Sequence, residues 1–229
     1  MNRVLKNFIS ILLAVLLIGG CTIQWNTIIA SAEETGEIKT YENFKYVVNG
    51  DEVTITGYIG KDVIIIIPDV IEGKSVTSIG DYAFLYCSSL TSISIPSSVT
   101  SIGYSAFAWC SSLTSISIPD GVTSIGDHAF EGCDGLISIN VDKNNKNYTS
   151  INGVLLNKNK DTILRCPSGK VGKIVIPSSV TSIGDSAFQD CSSLTSISIP
   201  SSVTSIGNSA FNGCSSLKSI SIPSSVTSI

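Results

Sequence analysis

The chain has 229 residues, 14 of them basic and 18 acidic, with a net charge of −4 and a single histidine. Charged residues are 14% of the total and hydrophobic residues 43%, and the polar remainder is dominated by 39 serines. That balance excludes wholesale disorder, an electrostatic nucleic-acid footprint, His-rich metal sites and most histidine-based acid–base chemistry, and leaves a serine-coated acidic protein read as non-enzymatic, without cofactor or metal.

Residues 1–32 read as an export signal. Arg3 and Lys6 precede an apolar run over 8–18 that is too short for the roughly 20 residues of a spanning helix. Two exits fit. Ala30-Ser31-Ala32 is a small-x-small cleavage site, and Ile18-Gly19-Gly20-Cys21 resembles a lipobox that would leave a lipid on Cys21. Either exit places the folded part outside the cytoplasmic membrane, secreted or at a bacterial cell surface. The lipid on Cys21 is the one membrane attachment the sequence suggests.

Residues 33–67 read as a linker followed by a cap. Segments 44–48 and 53–59 flank Asn49-Gly50, a strong hairpin turn signal, and this β-hairpin should cover the first coil of a repeat array that begins at residue 68.

From residue 68 to 229 the chain repeats itself. Phe84, Phe107, Phe130, Phe188 and Phe211 are spaced by 23, 23, 58 and 23 residues, and a cysteine follows each by three positions. One unit reads IPSSVTSIGYSAFAWCSSLTSIS from Ile95. Its apolar positions, Val99, Ile102, Ala106, Phe107, Cys110, Leu113, Ile116 and Ile118, are the expected core. Ile116 and Ile118 alternate with serines, which predicts a short strand with one buried face, ended by Pro119. Gly103 and the Ala106-Phe107 pair predict a turn and a compact helical or extended return. No unit buries a core alone, so stacked units must share one.

Two departures stand out. The stretch DVIEGKSV, between Pro68 and Gly80, should widen an early loop. Between Cys133 and Pro177 a 35-residue unit, about 142–176, lacks the A-F-x-x-C signature; its strands at 154–156 and 162–164 predict a β-hairpin projecting from, or folded over, the stack. The last residues, IPSSVTSI, stop partway through a unit. The array therefore reads as incomplete at its C-terminus, either a fragment of a longer array or a chain that self-associates through the uncapped coil.

The unit L-x-x-I-x-I-P-x-x-V-x-x-I-G-x-x-A-F-x-x-C resembles the BspA-like leucine-rich repeat family of bacterial surface proteins, and the resemblance covers residues 41–229. It implies a right-handed leucine-rich repeat solenoid with a parallel β-sheet, and a surface role in adhesion or host-matrix binding. It names no ligand.

Candidate chemistry is sparse. The cysteines recur every 23 residues without a C-x-x-C pair, which fits a ladder of buried free thiols; Cys166 lies off that register. His128 occupies a slot held elsewhere by serine, a tolerant exposed position, and no catalytic residue is assigned. For ligand binding two sets are singled out. Thr91, Ser92, Ser94, Thr114, Ser115 and Ser117 form an outward hydroxyl face on the strands, without the aromatic anchors that supply most interface energy. Tyr86 and Trp109 lie one unit apart and should stack as neighbours, with Tyr82 and Tyr104 nearby. The leading expectation is a binding module for an extracellular protein or glycan, an adhesin. The alternative is a passive spacer or display array of a longer secreted or wall-anchored protein, one that carries an enzyme domain in some versions of that reading.

Overall fold

A 23-residue coil can bury its apolar positions only against copies of itself. In the computed structural model, which describes residues 36–229, the coils stack and bond to one another along three sides. The export signal, both of its exits and Cys21 lie outside the described residues.

The first side is a row of short parallel strands: Ile64–Ile66 beside Ser92–Ser94, Ser115–Ile118 beside Ser138–Val141, and Gly172–Val175 beside Leu194–Ser198. The second side is also parallel, running Glu52–Tyr58, Lys74–Ile79, Ser101–Ile102 and Ser124–Ile125, then Thr162–Arg165, Ser182–Ile183 and Ser205–Ile206. Pairing sets Ile opposite Ile, so inward positions meet their own repeat, with a register shift at Val53/Thr54 and another at Gly172/Lys173. All eight core positions expected in the unit, Val99 to Ile118, are buried.

The third side, the return segment, is neither helix nor strand. Consecutive turns are closed by Ala83 N–H to Gly80 O, Leu85 N–H to Tyr82 O and Cys87 N–H to Phe84 O. The amides of Tyr82, Phe84 and Tyr86 are left free by these turns and donate to Tyr104 O, Ala106 O and Ala108 O of the next coil, at 2.9, 2.8 and 3.0 Å. The third residue of the first and last of these turns has positive φ (Tyr82 59°, Tyr86 61°), as a type II turn demands. No helix occurs among the described residues.

An aromatic column fills the interior. Phe84 and Phe107 stack with centroids 5.2 Å apart, and Phe107 and Phe130 at 5.9 Å. The N-terminal hairpin, Phe44–Asn49 paired antiparallel with Glu52–Tyr58, continues the column with Tyr58 on Phe84 at 5.8 Å and Phe44 on Tyr58 at 5.2 Å. Its two turn residues are Gly50 and Asp51, one position later than expected, with Gly50 at φ 61°. The strand Lys39–Tyr41 adds an outer edge.

Three expectations need correction. The extra residues after Pro68 do not widen a loop; Val70–Ile71 turns back on Lys74–Ile79 as a tight hairpin through Glu72 and Gly73, both with positive φ. The stack also begins before residue 68, because Ile64–Ile66 is already a rung of the first side. Finally, the expected hairpin of the variant unit is present, Val154–Asn157 against Thr162–Arg165, but it neither projects nor lies over the stack. Tyr148–Ile151, Val154–Asn157 and Thr162–Arg165 form a three-stranded antiparallel meander whose last strand serves as a rung of the second side. Its middle strand divides the interior: Leu155 packs in the N-terminal core, Val154 and Leu156 in the C-terminal one. Being buried on both faces, it shows no alternation of polar and apolar residues.

Beyond Leu194–Ser198 the first side continues as irregular backbone. Leu217 and Ile220 are half-buried there and Ile222 is exposed, while a bridge between Ser205 and Ser228 extends the second side.

Candidate functional site

The ten residues singled out for ligand binding fall on two sides of the coil and do not converge on one site. Thr91, Ser92, Ser94, Thr114, Ser115 and Ser117 are all exposed on the first side. Part of their hydrogen-bonding capacity is spent on the stack: Thr91 Oγ1 donates to Val63 O at 2.8 Å, and Thr114 Oγ1 to Thr91 O at 3.5 Å. The hydroxyl face gives way to exposed aliphatics at Ile64 and Ile66, which stand opposite Ser92 and Ser94, and again at Ile137, Val171 and Val175. The register contained that signal, since VIIIIP occupies the place of TSISIP.

The aromatic residues line the turn side. Tyr86 and Trp109 stack at 6.2 Å with an interplanar angle of 26°, and Tyr82 meets Tyr104 edge-on at 5.4 Å. Sequence reasoning missed the next member: His128 continues the second row, edge-on to Tyr104 at 5.6 Å, and its Nδ1 lies 2.9 Å from Glu131 Oε2. Tyr82, Tyr86, Tyr104 and Trp109 are 51, 67, 41 and 45% exposed. The slot of Tyr86 and Trp109 requires positive φ, and the corresponding residues of two other coils are Gly132 (64°) and Gly213 (74°). Gly132 is doubly constrained, because a Cβ there would lie 2.6 Å from Trp109 Cδ2. The indole stands against that glycine.

Inside, the cysteines follow one rule. Cys110 Sγ donates to Phe84 O at 3.2 Å, Cys133 Sγ to Phe107 O at 3.1 Å and Cys214 Sγ to Phe188 O at 3.1 Å, each a thiol of one coil on the aromatic residue of the coil before. Burial pushes the Cys133 thiol up to about 12 and Cys214 up to about 11, and raises Cys110 as well. The variant unit breaks the rule. Phe130 O has no thiol and instead accepts from Arg165 Nη2 at 3.4 Å. Cys191, with no Phe in the coil before it, turns to Cys166 O and Pro167 O at 3.8 and 3.7 Å. The neighbouring Cys166 thiol, together with burial, raises the pKa of Cys191. Cys166 is thus placed: it is buried in the variant unit, with its amide donating to Ala187 O at 2.6 Å.

Because the variant unit has no Gly-x-x-Ala-Phe segment, the stack is incomplete there and two cavities open. One, of about 370 Å³, is mostly apolar and lies beneath Ile137, Val171 and Val175, with Phe188 in its wall and Lys170 and Lys173 among its lining. The other, of about 790 Å³, has a lining divided evenly between polar and apolar groups and lies between Asp127-His128 on one coil and Asp185-Ser186 on the next complete coil, with Leu155, Leu164 and Arg165 also lining it. Among the described residues no group of three or more His, Cys, Asp or Glu side chains converges as a metal site would.

Comparison with known proteins agrees with this architecture. The sequence profile described as a BspA type leucine rich repeat region matches residues 66–163 and 165–229, in six copies. Among solved structures the chain is similar to the pneumococcal vaccine antigen PcpA, at 20% identity over 83% of this chain and 71% of that chain with a TM-score of 0.54. It is also similar to a leucine-rich repeat protein from Eubacterium ventriosum ATCC 27560, at 27% identity over 83% and 67% of the two chains with a TM-score of 0.50. A third similar structure is the T. pallidum leucine-rich repeat protein, at 26% identity over 79% and 91% with a TM-score of 0.52. No curated protein matches the sequence.

Proposed function

Since the chain belongs to the BspA-type leucine-rich repeat family, we propose that it is a non-enzymatic binding module, held outside the cytoplasmic membrane at a bacterial surface, that takes an extracellular protein or glycan on its aromatic turn side. One observation carries this reading. Tyr82, Tyr86 and Trp109 stand in the left-handed backbone region and expose their rings, although the slot of Tyr86 and Trp109 accepts glycine at 132 and 213. A non-glycine residue there costs of order 1 kcal/mol, and an exposed aromatic returns little of that to the fold. Such rings suit a ligand, since aromatic anchors supply most interface energy. The exported location rests on the signal at residues 1–32.

The test uses the repeat's own alternative. Changing Tyr86→Gly and Trp109→Gly together copies residues 132 and 213, so the stack should fold unchanged. The full chain is screened against matrix proteins and a glycan array, and the double variant against whatever binds. The expected loss is roughly thirtyfold, about 2 kcal/mol. A second reading, a passive spacer, is favoured by the near-uniform Ser/Thr face of the first side; no ligand in either screen would support it, whereas equal binding by parent and variant would remove the site from Tyr86 and Trp109.

A further inference from the structure

The larger cleft at the variant unit has a counterpart inside the molecule that shows what fits it. In the regular stack, two groups of one coil read the main chain of a single residue of the next. Tyr104 N–H donates to Asp81 Oδ1 at 2.7 Å, while Tyr104 O accepts from Tyr82 N–H at 2.9 Å. The pair recurs farther along: Asn208 N–H donates to Asp185 Oδ1 at 2.6 Å, and Asn208 O accepts from Ser186 N–H at 2.9 Å. An aspartate followed by a left-handed residue is therefore a two-point receptor for one backbone N–H and one C=O.

Asp127 and His128 are a third copy of this receptor. His128 has the same left-handed backbone (φ 57°, against 59° for Tyr82 and 52° for Ser186). The variant unit offers them no residue, and among the described residues neither the His128 amide nor the Asp127 carboxylate has a hydrogen-bond partner. Both line the cleft.

A second observation points the same way. Arg165, 8% exposed, also lines the cleft. Its Nη1 donates to Ser186 O and its Nη2 to Phe130 O and Ser168 Oγ, but its Nε has no acceptor and no carboxylate of the described residues pairs with it. A buried guanidinium cannot shed its charge, and this one is held by neutral carbonyl and hydroxyl oxygens alone, which leaves the wall of the cleft electropositive at this point.

We propose that this cleft binds a polypeptide segment by its main chain, which enters as the missing rung of the stack. One residue of the segment donates its N–H to Asp127 and accepts from the His128 amide through its C=O, and further carbonyls of the segment face Arg165. This is strand-addition logic applied to a turn ladder. The site uses none of the four exposed aromatic residues, so it can fail or succeed independently of them.

The probe is acetyl-Ile-Gly-Asp-Ser-Ala-Phe-Gln-amide, which copies residues 183–189, a segment that occupies this place in a complete coil. Titrated into the isotope-labelled full chain, it should give saturable shifts at the amides of residues 127, 128 and 165. Methylating the probe's Asp nitrogen removes the donor to Asp127 and should weaken binding about tenfold; Asp127→Ala should do the same, and Asp127→Asn, which keeps an acceptor oxygen, should retain most of the affinity. The Tyr86→Gly, Trp109→Gly variant should bind the probe like the parent. Absence of saturable shifts, equal affinity of methylated and unmethylated probe, or equal affinity of Asp127→Ala and parent would overturn the proposal. So would maltoheptaose shifting these amides where the peptide does not.

Discussion

Two stretches of the molecule solve the same problem differently. From residue 80 to 141 the coils complete one another, strand by strand, turn amide by turn carbonyl and thiol by aromatic carbonyl, up to the turn of His128, whose amide has no coil to donate to; Phe84, Phe107 and Phe130 stack through the middle. From 142 to 176 there is no equivalent neighbour, and side chains take over. Asn145 occupies the place held by Val122 one coil earlier; its Nδ2 donates to Pro119 O and Val122 O, and its Oδ1 accepts from the amides of Asn147 and Tyr148. Arg165 does for Phe130 what a cysteine does elsewhere. Where the repeat is intact, backbone groups are satisfied as a consequence of repetition; where it is not, each must be satisfied singly, and those that are not line a cleft.

The difference should be measurable. The largest effect belongs to the column: Phe107→Ala removes a ring stacked on both faces and should cost about 3–5 kcal/mol in urea unfolding. Phe188 stacks only on Phe211 and borders a cavity, so Phe188→Ala should cost clearly less. Equal losses would mean that the variant unit packs as tightly as the regular coils.

Next comes the keystone of the irregular region. Asn145→Val installs the residue that the other coils use but takes the Asn145 partner from the Val122 carbonyl and from the amides of Asn147 and Tyr148, while Pro119 O keeps the Val122 amide, a loss of about 3 kcal/mol. Hydrogen exchange should then rise first at 142–157 and leave 96–118 protected.

A smaller effect is read by pH. Cys133 ionises near 9 when unfolded and near 12 when buried, so the folded chain holds this proton more tightly. Its stabilising contribution is whole below pH 9 and is lost as pH rises from 9 towards 12, at up to about 1.4 kcal/mol per pH unit. Cys133→Ala should flatten that slope, and the native thiol should resist bulky alkylating reagents at pH 8. The smallest effects lie on the outer faces: Ser115→Ala and Trp109→Gly should each change stability by no more than about 0.5 kcal/mol. A larger loss at Trp109 would make the indole a structural cover for Gly132.

How legible this was in the sequence depended on repetition. The 23-residue register predicted the buried set from Val99 to Ile118, the stacking of Tyr86 with Trp109 and a thiol ladder that is buried at Cys110, Cys133 and Cys191 and half-buried at Cys87 and Cys214, because every copy restates the same environment. It left the return segment open between helical and extended. Neither period fits a run of turns with left-handed third residues at Tyr82 and Tyr86. The variant unit appears once, so nothing in the chain restates it. Tyr148–Ile151 is half-buried throughout and gives no alternation, and Arg165 reads as an ordinary charged residue until its partners are seen. The serine counterparts of His128 describe its slot well but not the ring of Tyr104 beside it.

The pattern of bonds between coils has a genetic consequence. Each regular coil donates to and accepts from its neighbours through the same backbone atoms, so one coil can be exchanged for another or duplicated without opening an unpaired group. DNA encoding such units can lengthen or shorten by whole repeats through unequal recombination, and each gain would extend the protein by one strand spacing, about 4.8 Å. The boundary with the variant unit is different: a coil inserted after Glu131 would fill the cleft. Drift in repeat number can therefore change the reach of the array freely on either side of that boundary, whereas an insertion at the boundary would erase the feature that distinguishes it.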